Sequence, residues 1–77
     1  MQTSGIARKL REELKELRES RGLTQAQLAG MLHQPQQYVS KYELGDRRLD
    51  VGEVIEILRV LKEDPVEFIK DLIRKAP

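Results

Sequence analysis

Apolar residues recur along this chain at intervals of three and four positions, the spacing that places them on one face of an α-helix. Charged residues fill most of the positions between them, so each predicted helix has an apolar face and a charged face. No segment alternates apolar and polar residues in the way that predicts a strand. The pattern therefore predicts an all-α chain of five helices with short connections, the first of which follows the series Ile6, Leu10, Leu14 and Leu17.

Two of these helices are predicted in the C-terminal part, over residues 50–75. Asp50 is a suitable N-cap for the first of them, because Glu53 follows at the position that completes a capping box. Asp64 and Pro65 end that helix and start the next one, with Asp64 as its cap and Pro65 in its first turn. The apolar stripe of the first helix is Val51, Val54, Ile55, Leu58 and Leu61. The second helix has Val66, Ile69, Leu72 and Ile73 on one side, with Phe68 next to them.

The middle of the chain predicts two short helices joined by a tight turn. Thr24 and Gln27 have the spacing of a capping box, and the helix that they start runs to about Leu32. Pro35 is predicted at the first position of the next helix, where its fixed φ suits a first turn. Gly45 follows the last helical residue and suits a left-handed C-cap.

The second of these short helices has one apolar and one polar side. Val39 and Tyr42 can point back to Leu28 and Leu32 of the first helix, with the small Ala29 where the two helices come close. A glutamine side chain can form two hydrogen bonds to adenine in the major groove of DNA. Exposed amides at the start of the second of two closely joined helices are typical of helix-turn-helix DNA-binding domains. The polar residues without a role in the core are Gln36, Gln37, Ser40 and Lys41.

These residues resemble the helix-turn-helix domain of the lambda repressor and Cro family, also called the Xre family. The resemblance extends to about residue 69 and departs from the family at two positions. His33 stands where the family usually has a glycine in a left-handed conformation, and Gln34 stands where it usually has an aliphatic residue. The matching residues are Leu23, Thr24, Gln25, Leu28 and Ala29, then Tyr38, Val39, Ser40, Lys41, Tyr42, Glu43 and Gly45, then Arg47 and Arg48.

The resemblance implies a compact five-helix, lambda-repressor-like DNA-binding domain, with its helix-turn-helix over residues 24–45. It implies that Arg18 pairs with Glu43 as a structural ion pair. It also implies a sequence-specific regulator of transcription, and we expect a repressor that binds a palindromic operator in double-stranded DNA as a homodimer. The expected base contacts are Gln36, Gln37 and Lys41, with Ser40 at their edge, and the expected backbone contacts are Gln25, Tyr38, Arg47 and Arg48.

Ile57 and Val60 fall outside the apolar stripe of their helix, which leaves two interpretations open. They belong to the core, or they form a surface for a protein partner. We place the contact between the two subunits of the homodimer there. A toxin or another protein is the alternative partner, in which case the chain is an antitoxin or an interaction module of the same fold. The expected contact residues are Ile57, Val60, Phe68 and Ile73.

A chain of 77 residues forms one domain, over residues 1–77, and we expect residues 1–5 to be flexible, with Ser4 able to cap the first helix. The sequence has no cysteine, no apolar run of about 18 residues and no signal peptide. We therefore expect a cytoplasmic protein with no membrane partner. The family resemblance implies that its source is a bacterium or a phage. The net charge is +1, divided as +3 over residues 1–48 and −2 over residues 49–77.

The residues of enzyme and metal sites are scarce. His33 is the only histidine, and no serine or carboxylate near it completes a nucleophile with its base. Glycine-rich phosphate loops are missing as well. We therefore expect no enzymatic activity, no metal and no cofactor.

Overall fold

The computed structural model describes residues 5–76, and every regular element in that range is an α-helix. This confirms the prediction of an all-α, five-helix domain. The helices are α1 (Gly5–Ser20), α2 (Gln25–Met31), α3 (Gln36–Leu44), α4 (Val51–Val60) and α5 (Pro65–Lys75). None of them is long and apolar enough to cross a membrane.

The N-terminal boundary differs from the prediction at one residue. Gly5 was expected to be flexible, but it is the first residue of α1. The apolar series of that helix begins at Ile6, so a first turn that includes Gly5 is needed to present it. The suggested cap, Ser4, lies outside the described residues.

All five helices contribute to one core. Leu14 of α1, Leu28 of α2 and Val39 of α3 are completely buried, and α4 and α5 close the other side. Lys75 at the end of α5 donates to the Glu13 carboxylate of α1 at 2.7 Å, which joins the last helix to the first. The buried apolar residues are Leu14, Leu28, Ala29, Val39, Tyr42, Val54, Ile57, Leu58, Leu61, Phe68 and Leu72.

The predicted apolar stripe of α4 is buried at three of its five positions and was wrong at Val51. Val54, Ile57, Leu58 and Leu61 are buried, whereas Val51 is 75% exposed. The buried set follows the spacing i, i+3, i+4, i+7, which is one face of a regular helix. Ile57 therefore belongs to the core and is not a dimer contact.

Phe68 was also wrong as a dimer contact. It is 8% exposed and packs in the same core cluster as the buried face of α4. Val60 is half-buried against that cluster, and only Ile73 among the predicted contact residues is largely exposed, at 68%.

The helix-turn-helix is positioned by local hydrogen bonds. Thr24 Oγ1 accepts from the Gln27 backbone N–H at 3.0 Å, and the Thr24 N–H donates to Gln27 Oε1 at 2.8 Å, so the capping box is complete. His33 has a φ of 56°, the left-handed conformation expected there. Pro35 differs from the prediction, because it is the N-cap with extended backbone and Gln36 is the first helical residue.

Gly30 inside α2 and Gly45 at the C-cap of α3 should respond to alanine with opposite signs. Gly45 has a φ of 89°, and an added Cβ would lie 3.0 Å from the Arg11 guanidinium carbon. Gly45→Ala should therefore lower the free energy of unfolding by about 1 kcal/mol. Gly30 is helical with no atom within 4 Å of an added Cβ, so Gly30→Ala should raise it by about 0.5–1 kcal/mol.

Urea unfolding of the two variants beside the parent protein measures both changes. A stabilising Gly45→Ala would show that the left-handed C-cap is not required to end α3.

Candidate nucleic-acid interface

The outer side of α3 consists of polar residues that point away from the core. Gln36, Gln37 and Lys41 are exposed, while Val39 and Tyr42 on the opposite side are completely buried. Because Pro35 is the cap, the two glutamines occupy the first two helical positions, where side chains project beyond the helix end. Ser40 is half-buried, and its hydroxyl donates to the Gln37 carbonyl at 3.3 Å.

An ion pair fixes α3 to α1. Arg18 Nε donates to Glu43 Oε2 at 2.8 Å, and a second guanidinium nitrogen donates to Oε1 at 3.1 Å. A third Arg18 nitrogen donates to the Leu23 carbonyl at 2.7 Å. Only 8% of the Arg18 side chain and 3% of the Glu43 side chain are exposed. The hydrogen bond to Glu43 raises the pKa of Arg18, so the guanidinium stays charged.

Gln25, the first residue of α2, is part of the same network. Its side-chain nitrogen donates to Glu43 Oε1 at 2.9 Å. One carboxylate on α3 therefore accepts hydrogen bonds from both α1 and α2. This arrangement sets the position of α3 relative to the start of α2.

Tyr42 anchors the inner side of α3. It has no exposed surface, and its hydroxyl has no hydrogen-bond partner among the described residues. Burial raises the pKa of the phenol well above its ordinary value, so the side chain stays neutral. The Tyr38 ring, one turn earlier in α3, packs against the Tyr42 ring in an edge-to-face arrangement. The two ring centres are 5.8 Å apart.

Tyr38 of α3 and Arg47 of the loop between α3 and α4 form a second cluster. The Arg47 guanidinium lies 4.6 Å from the centre of the Tyr38 ring, a stacking distance. Arg47 also donates to the Glu53 carboxylate at 2.7 Å. Arg48 follows in the loop and is exposed, and its carbonyl accepts a weaker bond from Arg47 at 3.4 Å.

Sequence reasoning assigned Glu53 only to the cap of α4. The sequence shows only that Glu53 follows Arg47 by six positions. The path of the loop that contains Arg47 cannot be predicted from a sequence pattern. The pairing of Glu53 with Arg47 was therefore missed. The structure also has an apolar groove that was not predicted, because Val51 and Ile55 had been assigned to the apolar stripe of α4. Its lining includes Leu10, Val51, Ile55, Val66 and Ile69.

The helix-turn-helix family model matches residues 14–68, which is more than half of the chain. That range contains α2, α3 and both ion-paired residues, Arg18 and Glu43. The chain belongs to the XRE family of helix-turn-helix proteins. The protein is therefore a DNA-binding transcriptional regulator, and the resemblance inferred from its sequence is confirmed.

Solved structures of this family have the same fold. An XRE-family like protein from Pseudomonas syringae pv. tomato str. DC3000 is similar with 38% identity and a TM-score of 0.87, covering 94% of this chain and 88% of that one. The restriction-modification controller protein C.Esp1396I is similar with 28% identity and a TM-score of 0.84, covering 94% and 95%. A search of curated proteins returned no match.

Within residues 5–76, the His, Asp and Glu side chains form no group that could hold a metal ion. The exposed face of α3 with its flanking residues is thus the site on which a functional proposal rests.

Proposed function

We propose that this XRE-family protein is a repressor that binds a palindromic operator as a homodimer. The observation that carries the proposal is the rigid placement of α3, whose inner side is buried while Gln36, Gln37 and Lys41 are exposed. One small helix-turn-helix unit contacts only a few base pairs, and a two-fold pair of units contacts a longer symmetric site.

The base contacts are assigned to the two glutamines and Lys41. The amides extend from the first two positions of α3, and Lys41 lies one turn further on the same exposed side. Amides hydrogen-bond the adenine edge, and a lysine is suited to guanine. Ser40 is placed at the edge of the contact, because its hydroxyl is bonded to its own helix.

The DNA backbone contacts are assigned to residues around α3. The Gln25 side-chain nitrogen has two hydrogens, and one of them is bonded to Glu43, so the second can be donated to a phosphate. The Tyr38 hydroxyl and the loop residue Arg48 are the other candidates. These contacts fix the orientation of α3 on the duplex without specifying the sequence. Arg47 was expected to contact the backbone as well, but its guanidinium donates to Glu53 at 2.7 Å, which opposes a phosphate contact.

We infer that the second subunit binds in the groove between α1, α4 and α5. Val51 and Val66 at its rim are 75% and 63% exposed, and Ile73 on the same helix as Val66 is 68% exposed. An apolar patch bordered by polar residues is characteristic of protein contact surfaces. This assignment replaces the buried Ile57 and Phe68 with residues that a second copy can reach.

Val66→Glu should convert the dimer to monomer without unfolding it. Val66 follows Pro65 in the first turn of α5, where the helix dipole favours a negative charge. Sedimentation of the free protein and of its operator complex measures the change. Met31→Glu is the control, since Met31 is an exposed apolar residue outside the groove. A Val66→Glu variant that still dimerises would show that the groove is not the contact between subunits.

Selection of bound sequences from random double-stranded DNA tests the function itself. We expect an enriched palindrome, with log K falling against log salt by about 0.9 for each phosphate that the protein neutralises. An enriched site without two-fold symmetry, bound by one subunit, would contradict the homodimer. Binding that does not depend on salt would contradict the backbone contacts.

The groove also supports the alternative function, an antitoxin whose partner is a toxin or another protein. In that case the apolar rim residues Val51 and Val66 contact the partner rather than a second copy. A free protein that sediments as a monomer, with no enriched DNA sequence, would favour this alternative. We place either function in the cytoplasm of a bacterium or of a phage-infected cell.

A further inference from the structure

Arg47 lies between an aromatic ring and a carboxylate at the edge of the proposed DNA surface. Its guanidinium is 4.6 Å from the Tyr38 ring centre and 2.7 Å from Glu53 Oε2. Tyr38 belongs to α3 and Glu53 to α4, so Arg47 joins the base-contacting helix to the helix that follows. A loop arginine that only contacts solvent has neither of these partners.

Glu53 is held in place by its own helix. Its second carboxylate oxygen accepts from the Asp50 backbone N–H at 3.0 Å, and its own N–H donates to Asp50 Oδ1 at 2.7 Å. The hydrogen bond from Arg47 lowers the pKa of Glu53, and the one from Asp50 lowers it further, so the group is ionised. The Glu53 side chain is 24% exposed, and the bonds from Arg47 and from the Asp50 N–H hold its carboxylate beside the guanidinium.

The pair of Arg47 and Glu53 has no net charge. Non-specific binding to DNA depends on the release of counterions from phosphates that cationic side chains neutralise. A neutral pair contributes nothing to that release, and the carboxylate repels a phosphate that approaches the guanidinium. Base contacts through amides do not depend on this charge balance.

We propose that Glu53 masks the charge of Arg47 and so limits the sequence-independent part of DNA binding. The masking weakens the contact that all DNA sequences share and leaves the base contacts of α3 intact. Glu53 thereby lowers the affinities for the operator and for random DNA by a similar factor. This inference rests on the proposed function, because it requires that α3 and the loop after it face DNA.

Glu53→Gln removes the charge and keeps the shape. Glutamine serves at the same position of a capping box, so the bond to the Asp50 N–H is retained. On a duplex of random sequence, the slope of log K against log salt should become more negative by about 0.9 per subunit. Affinities for random DNA and for the operator should both rise several-fold at low salt, and their ratio should change little.

The double variant Arg47→Gln with Glu53→Gln separates masking from an ordinary phosphate contact. Under masking, both charges of a neutral pair are removed, and the salt slope returns to that of the parent protein. If Arg47 already neutralises a phosphate in the parent complex, the double variant loses about 0.9 of slope per subunit. That result would overturn the proposal.

Glu56→Gln is the matched control, since it removes the same charge from an exposed position of α4. It should leave the salt slope unchanged, and an equal steepening in this variant would show a general charge effect and overturn masking. The thermal midpoint of each variant confirms its fold.

The Arg47 side-chain NMR signal provides a readout in the parent protein, whether or not the variants fold. Masking predicts a signal that changes little when random DNA is added, and a large shift overturns it. A parent protein that binds no DNA refutes the proposed function, whereas a parent that binds with unchanged slopes in all variants refutes masking alone.

Discussion

Arg18→Met should lower the free energy of unfolding by about 3–5 kcal/mol, because it leaves a buried carboxylate without its cation. Glu43 loses two hydrogen bonds from the guanidinium, and only 3% of its side chain is exposed to water. The Leu23 carbonyl loses a third bond. Methionine retains much of the length and apolar contact of the arginine stem, so the loss reports mainly the pair.

Urea unfolding followed by circular dichroism measures this loss, and Arg8→Met is the control. Arg8 is an exposed residue of the same helix, and its replacement should change stability by no more than about 0.5 kcal/mol. Arg18→Met combined with Glu43→Leu should recover most of the stability, since an apolar pair of similar volume removes the uncompensated charge. A single Arg18→Met variant as stable as the Arg8→Met control would contradict the role assigned to the pair.

The local features of the helix-turn-helix were predictable because each depends on residues close in sequence. The capping box of Thr24 and Gln27 is closed by bonds between residues three apart. The left-handed conformations of His33 and Gly45 follow from the need to end one helix before the next begins. Such features depend little on how the rest of the chain packs.

The features that sequence reasoning missed depend on contacts between distant elements. Whether Val51 or Ile57 faces the core depends on the rotation of α4 against α1 and α5, and both residues are equally apolar. Phe68 lies beside the predicted stripe of α5, yet it is buried. The spacing of apolar residues defines the buried face of a helix only to within about one residue. The packing of the helices then decides which of the adjacent apolar residues is buried.

The same limit applies to the candidate site. Sequence reasoning selected the exposed polar residues of α3 by excluding those with a core role, and Gln36, Gln37 and Lys41 are exposed as that argument requires. The Glu53 partner of Arg47 could not be found in this way, because the loop between α3 and α4 brings them together. The proposed effect of the Arg47–Glu53 pair on DNA binding could therefore be inferred only from the folded structure.

Gln37→Ala should weaken operator binding by about 1–3 kcal/mol and relax the preference at one base pair. Gln37 is exposed at the second position of α3, and the helix beneath it is fixed by the completely buried Val39 and Tyr42. A rigid support holds the amide in one orientation, so its two hydrogen bonds to a base edge discriminate between bases. Binding to random DNA should change little, because an uncharged amide contributes almost nothing to the counterion term.

Arg48→Ala is the contrasting variant, and it should weaken binding to operator and random DNA alike. Titration of each variant with operator, single-base operator variants and random duplex separates the two effects, and thermal midpoints exclude loss of fold. Gln36→Ala tests the neighbouring amide in the same titrations. If both glutamine variants are folded and retain full affinity and full discrimination, α3 does not contact the bases. The protein-partner function supported by the groove of α1, α4 and α5 would then take precedence over the repressor.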